Sequence, residues 1–380
     1  MQKEFLSVEQ LRLMPRRVEL AEETFATREL NGLLWEIREA NNYKPIKIMV
    51  VGSGGSFPAA LLAKQALADH CGTAEIEAFM PQTAIKVLTQ FSNIVRCNFK
   101  PFYHVVIAIS YSGKSPDILK VYEVCKSLNI QFILVTRALP EFIDDMYPNF
   151  NSISNNIVSY DNVKDETHKE RGLISMASTL SPAAVFDDLG GESKAENMKC
   201  FEEGEKFVQK LDIPKIAESI KSRPTINVFY EWDTMPTAYD IENKFTQSGL
   251  ANVILHEKKN FSHGRYVPLY TLNSGLNINL LRYSSVINFG SNIKYDDRLY
   301  KTPYDVILDK FLEDISKQKD TPYIKIGTVA FPPNQWNIEA MTKIPYLLVA
   351  IGKQLGIDVS KPLEPFPEEP KELCDFKGLF

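Results

Sequence analysis

The chain has 380 residues, of which 44% are hydrophobic and 24% charged, and its formal net charge is −5. That length fits two domains better than one, and the composition is that of a globular protein. The acidic balance weighs against a general nucleic-acid binder, whose affinity would rest on a basic surface. The five cysteines (Cys71, Cys97, Cys125, Cys200 and Cys374) are scattered and contain no Cys-x-x-Cys pair. They make neither a disulfide framework nor a zinc ribbon and read as buried or inert thiols in a reducing compartment. The opening residues carry no signal-peptide pattern, and no apolar run approaches the roughly 20 residues that span a bilayer. The expectation is a cytoplasmic protein with no membrane partner.

Residues 1–45 carry apolar side chains at helical spacing, in Val8–Leu13, Val18–Thr24 and Leu30–Ala40. At Ile46 the pattern changes. Ile46–Val51 is a short apolar strand running into Gly52-Ser53-Gly54-Gly55-Ser56, and Ala59–His70 follows as a helix rich in Ala and Leu. Ala74–Phe79 reads as a strand, Thr83–Leu88 as the start of a short helix, and His104–Ser110 as a buried strand that breaks at Tyr111-Ser112-Gly113. Pro116–Leu128 is a helix with proline in its first turn, and Phe132–Thr136 is the next strand. Apolar runs with little polar alternation, separated by helices, call for a parallel sheet covered on both faces.

Further on, Leu173–Asp188 reads as a helix, 189–200 as a connection and Phe201–Lys221 as an amphipathic helix. The second half repeats the theme, with strands at Ile226–Tyr230, Ala251–Leu255 and Ser284–Gly290. Helices fall at Thr237–Gly249, Tyr304–Lys317 and Ile344–Leu355, and Ile324–Phe331 is mixed. The expected fold is α/β, with two doubly wound, flavodoxin-like subdomains. A helical segment spans 1–45, the first domain 46–195, the second 196–355, and a proline-rich tail 356–380.

Phosphate is best held by many short donors converging on one point, such as helix N-terminal amides and Ser or Thr hydroxyls. Gly54-Gly55-Ser56 offers that chemistry after the first strand, and Ser110-Tyr111-Ser112-Gly113-Lys114-Ser115 offers it after the third. In a doubly wound sheet, ligands sit at the carboxyl ends of the strands where the strand order reverses. Glycines and serines also simply make good turns, so each segment alone is weak and the pair is stronger. Ala108–Ser115 also fits a relaxed P-loop, Gly/Ala-x-x-x-x-Gly-Lys-Ser/Thr. Against that nucleotide reading, Ala108 replaces the leading Gly, Pro116 removes a donor, and no Asp follows the next strand to hold magnesium.

With these turns on the page, the chain resembles the sugar-isomerase (SIS) family over roughly residues 45–360. It is most similar to the double-SIS phosphosugar isomerases of the kind found in the isomerase half of glucosamine-6-phosphate synthase. The family's GTS and SQSGET turns correspond to Gly54-Gly55-Ser56 and to Ser110–Ser115, and its VAST segment to Met176-Ala177-Ser178-Thr179. The resemblance implies that Ser56, Ser110, Ser112 and Ser115 hold a sugar phosphate with Gly54 and Gly55. Tyr111 stands where the family has Gln, and Ser178 lines the site. The family's YPxALEGxLKLKE…HG pattern reads as Met235–Asp240, then Lys244, Gln247 and His263-Gly264.

Aldose–ketose isomerisation needs a ring-opening proton carrier, a base for the C1–C2 proton transfer and a group that stabilises the enediolate. By the resemblance, His263 opens the ring and Lys244 stabilises the anion, while Gln247 occupies the place of the catalytic Glu. An amide cannot accept that proton, and Glu257, near His263 in sequence, is the candidate replacement. Asp240 and Lys244 sit at i, i+4 and share a helix face with Gln247; an ordinary ion pair is the plainer reading of the first two. Three readings stay open. The chain is a phosphosugar isomerase or an amino-sugar-phosphate deglycase or deaminase; or it is a sugar-phosphate sensor without chemistry; or it binds nucleotide. The expected partners are a phosphorylated sugar or amino sugar and a second copy of the chain as a homodimer. The five histidines show no metal-ligand spacing, and no cofactor is expected.

Overall fold

The computed structural model describes residues 5–24, 26–71, 74–95, 102–139, 143, 156–160, 176–187, 189, 194–271, 273–282, 303–328 and 333–361. They fall into two compact units. The first is built from Arg12–Glu170 and Ser175–Met198. The second is built from Lys199–Leu363 and the N-terminal residues to Leu11. Each is an α/β layer structure around a wholly parallel sheet.

The chain opens with helices α1 (Leu6–Glu23) and α2 (Ala26–Ala40). Strands β1 (Lys47–Gly52), β2 (Glu75–Phe79), β3 (Val105–Ser110), β4 (Gln131–Thr136) and β5 (Ile157–Ser159) form the first sheet, in the order β2-β1-β3-β4-β5. Helices α3 (Ser56–Cys71), α4 (Pro81–Val95) and α5 (Pro116–Ser127) connect them, and α6 (Leu180–Asp187) packs on α3. The central strands are apolar at nearly every position because both faces are covered. Met49, Val51, Val106, Ala108, Phe132 and Leu134 meet α4 and α5 through Ala84, Leu88, Ile118, Val121 and Cys125. The strand order reverses between β1 and β3. Their register is parallel, with Gly52 opposite Ile109, so both strands end at the same level.

The second unit contains α7 (Lys194–Gln209), most of which belongs to it, and α8 (Ile213–Ser222). Its strands are β6 (Thr225–Tyr230), β7 (Asn252–Glu257), β8 (Leu276–Arg282) and β9 (Tyr323–Thr328), in the order β7-β6-β8-β9. Helix α9 (Met235–Gln247) links β6 to β7. After β7 come a single turn α10 (Lys258–Asn260), a widened turn at Phe261–Arg265 and the short α11 (Val267–Thr271). Then follow α12 (Pro303–Gln318) and α13 (Pro333–Leu355). Helices α8 and α9 pack on α13, while Leu308, Leu312 and Ile315 of α12 close over Phe229 and Phe261.

Several sequence expectations need correction. The helix expected from Leu173 begins only at Leu180, after the turn formed by residues 176–179. The connection expected over 189–200 already contains the start of α7. The single helix expected over Phe201–Lys221 is two, because Asp212 caps a new start by accepting from the Lys215 amide at 3.1 Å, with Pro214 in the first turn. The short helix at Thr83–Leu88 extends over all of α4. The described part of the mixed stretch Ile324–Phe331 is strand, within β9, and β8 was not expected. The strand expected at Ser284–Gly290, Cys97, Cys374 and all but the first residues of the tail lie outside the described residues. Burial pushes the Cys125 thiol up to about 12, so it stays protonated and inert.

Asp358, beyond α13, caps the N-terminus of α1. Its carboxylate accepts from the Leu6 amide at 2.7 Å and the Ser7 amide at 3.0 Å. Burial raises the Asp358 pKa, but the Ser7, Leu6 and Ser360 amides outweigh it and hold the carboxyl below its usual range. A carboxylate with a depressed folded pKa stabilises above the unfolded value, near 4, and loses that contribution as pH falls through the folded value. Asp358→Ala therefore costs about 1–2 kcal/mol near neutral pH. In thermal melts, its deficit against the parent should shrink as the pH drops below about 4.

Candidate active site

The first hydroxyl turn leaves β1 and enters α3. Gly54 is in the left-handed region at φ 52°, where a side chain is strained. A Cβ on Gly52 would lie 2.3 Å from the Ser56 carbonyl oxygen, so the chain can double back there only with glycine. Gly55 faces the segment at 176–179: its carbonyl accepts from Thr179 Oγ1 at 2.9 Å, and a Cβ on it would lie 3.6 Å from Ser178 Oγ. Gly55, Ser56 and Ser178 are thus brought together, and the two serine side chains are buried.

The second turn leaves β3 at the buried Ser110. Gly113 has φ 66°, and a Cβ there would be 3.0 Å from Thr136 Oγ1 and 3.2 Å from Ile143. Ser112 is exposed, Tyr111 half-buried, and Ser115 occupies the N-cap position of α5 without making a capping bond. Because Gly52 and Ile109 are register partners, the two turns start side by side on neighbouring strands about 4.8 Å apart, at the point of strand-order reversal. This is where a doubly wound sheet holds its ligand.

Of the helix-end amides and hydroxyls expected as donors, some amides are engaged within the turns. The Ser56 and Phe57 amides bond to Ser53 and Gly54 carbonyls, both at 3.0 Å, and Pro58 has none. In the second turn the Gly113 amide donates to Ser110 O and the Lys114 amide to Ser112 Oγ, each at 3.2 Å, and Pro116 again has none. Against the nucleotide reading, two amides of the second turn, Gly113 and Lys114, are engaged within the turn itself.

The second unit holds the other group of expected residues, and the structure sorts them apart. Lys244 and Asp240 form an ion pair with side chains 3% and 1% exposed, on the face of α9 that carries Thr237, whose hydroxyl donates to Asn337 of α13 at 2.8 Å. Gln247 is the last residue of the helix and is exposed, so it does not share their buried surroundings. His263 is exposed in the widened turn, ahead of Gly264 at φ 92°. Glu257 ends β7, accepts from Asn260 Nδ2, and lies opposite Tyr230 in the β6–β7 register. Burial pushes the Tyr230 hydroxyl up, Tyr239 and Glu257 add to this, and Arg265 opposes it. Tyr230, Tyr239, Glu257 and Arg265 therefore share one electrostatic neighbourhood at the carboxyl ends of β6 and β7. Sequence reasoning named Glu257 but missed both tyrosines.

Beneath them a polar chain crosses the sheet. His256 Nε2 donates to Asn227 Oδ1 at 3.0 Å, Asn227 Nδ2 donates to Asn277 Oδ1 at 3.0 Å, and Asn277 Nδ2 donates to Ser316 Oγ at 3.2 Å. The Nε2–H tautomer follows because the Asn227 amide nitrogen is already committed to Asn277. Burial, aided by Arg265, pushes the His256 imidazole down to about 4, so it is neutral near pH 7. It stacks on Phe229 with centroids 5.0 Å apart. Among the described residues, no group of three or more His, Cys, Asp or Glu side chains could hold a metal ion, and no helix is long and apolar enough to cross a membrane.

No protein-family model and no curated protein matches the sequence. Solved structures do match. The C-terminal domain of glucosamine-fructose-6-phosphate aminotransferase from Francisella tularensis aligns over 95% of this chain and 99% of its own, with TM-score 0.61 and 14% identity. Tagatose-6-phosphate ketose/aldose isomerase from Escherichia coli aligns over 96% and 97%, with TM-score 0.60 and 16% identity. Glucosamine-6-phosphate deaminase from Thermotoga maritima aligns over 94% and 98%, with TM-score 0.59 and 14% identity. The chain thus has the two-unit parallel α/β fold of these sugar-phosphate proteins.

The buried Lys244–Asp240 pair gives a direct test of its role. Lys244→Ala removes the lysine from a buried carboxylate and should cost about 3–5 kcal/mol in denaturant unfolding. The double change Lys244→Met with Asp240→Leu, which removes both charges, should recover most of that loss.

Proposed function

We propose that this chain binds the phosphate of a phosphorylated sugar or amino sugar in the serine cradle of its first unit, and that it isomerises or deaminates that sugar. The observation that carries the reading is the pairing of β1 with β3. It sets Gly54-Gly55-Ser56, with Ser178 against it, beside Ser110–Ser115 at the strand-order reversal. The likeness in fold to tagatose-6-phosphate ketose/aldose isomerase and to glucosamine-6-phosphate deaminase supports the reading. His263, exposed in the widened turn ahead of Gly264, takes ring opening. Glu257 takes the proton transfer that Gln247 cannot perform. The protein works as a cytoplasmic homodimer without a cofactor.

A second reading, binding without turnover, is favoured by the surroundings of Lys244 and Gln247. The lysine is locked in a buried pair, and the amide stands where a carboxylate would be needed. Incubation with fructose 6-phosphate and with glucosamine 6-phosphate, followed by NMR, separates the two. Product formation supports the enzyme, whereas tight binding without product on either substrate rejects it for both.

Ser112→Ala should weaken sugar-phosphate binding by about 1–2 kcal/mol, the scale of one hydrogen bond to a charged group, as measured by calorimetry. An unchanged affinity places the phosphate elsewhere. Gln247→Glu should raise isomerase turnover if only the base is lacking at that position, and a fall in turnover would give the amide a role of its own.

A further inference from the structure

The end of β4 brings one more residue to the second hydroxyl turn. Ser110 and Thr136 are register partners, so β4 finishes level with β3. The next residue is Arg137. Its backbone amide donates to the Tyr111 carbonyl at 3.2 Å, and Thr136 Oγ1 donates to the same carbonyl at 3.3 Å. Its own carbonyl accepts from Ser159 Oγ of β5 at 3.4 Å. The guanidinium carbon lies 5.6 Å from the centre of the Tyr111 ring, within the range in which a planar cation stacks on an aromatic face. Backbone and side chain together hold Arg137 against the turn, and the side chain is half-buried rather than extended into solvent.

The charge of the ligand makes this placement matter. A phosphate monoester carries nearly two negative charges at neutral pH. The hydroxyls of Ser110, Ser112 and Ser115 are neutral, and the Gly113 and Lys114 amides are engaged within the turn. The other described charges on this turn and the helix start are Lys114, which is exposed, and Asp117 in the first turn of α5. Arg137 is the cation whose direction is fixed, and its fork of donors matches an oxyanion.

We propose that Arg137 is a specificity-determining residue of the cradle. Its guanidinium meets the oxyanion held by the second hydroxyl turn and selects doubly charged phosphate monoesters over singly charged or neutral sugars. This rests on the reading that the turn holds the phosphate, and the experiment separates the two. Binding of fructose 6-phosphate and of inorganic phosphate is measured by calorimetry at low and high salt, for the parent, Ser112→Ala, Arg137→Gln and Arg137→Lys. Arg137→Gln should weaken binding at least about tenfold and flatten its salt dependence. Its melting temperature should hold, because the backbone bond to Tyr111 remains. Arg137→Lys, which keeps the charge without the fork, should fall between the two and keep the salt dependence.

If Arg137→Gln binds like the parent while Ser112→Ala weakens binding, Arg137 is excluded and the cradle stands. A parent chain that binds neither ligand, or four proteins of equal affinity, overturns both ideas. Should Arg137→Gln fail to fold, Arg137→Lys decides: a severalfold weakening with the salt dependence intact supports the assignment, and an unchanged affinity overturns it.

Discussion

The parallel pairing of β1 with β3 positions everything at the site. Both strands are apolar along their length and are covered above and below, so a slip of one residue would turn each side chain to the opposite layer. With Gly52 held opposite Ile109, the turns that follow are held level as well. Gly52 has a second task, since the chain reverses so tightly over it that the Ser56 carbonyl occupies the space of any Cβ. Register sets the height of the cradle, and that glycine sets how closely α3 folds back onto it.

In the first unit β1, β3 and β4 were legible as apolar runs, whereas Glu75 and Glu77 alternate with apolar residues in β2 and the three-residue β5 was not expected. The second unit was less so, and for a physical reason. The strand β8 was missed because Asn277 and Asn279 interrupt its apolar run. Both are buried, and each donates a side-chain hydrogen bond, Asn277 to Ser316 and Asn279 to Tyr323. A polar residue inside a strand looks like a turn until its partners, far along the chain, are known. The division between α7 and α8 was hidden in the same way, since one capping Asp inside an amphipathic stretch leaves the helical period nearly intact.

The site divides along similar lines. The serine turns could be found from composition and position between strand and helix. The separation of Gln247 from Lys244 could not. A helical wheel puts 240, 244 and 247 on one face, but the helix stops at Gln247, which emerges into solvent while its neighbours stay inside. Nor could Arg137 be tied to Tyr111 from sequence, because their meeting depends on β4 ending level with β3. The bonds that tie the Ser56, Phe57 and Gly113 amides to carbonyls of their own turns, and the Lys114 amide to the Ser112 hydroxyl, were equally invisible.

The asparagine–histidine row across the second sheet also bears on how that unit assembles. Asn227, His256 and Asn277 come from three strands far apart in sequence, and Ser316 comes from a helix added later still. Each amide finds its mate in one alignment. A mispaired strand would strand several dipoles in an oily interior, a penalty that adds up over the row and that simple apolar contacts would not impose. The row therefore favours the observed alignment of β6, β7 and β8 over slipped ones.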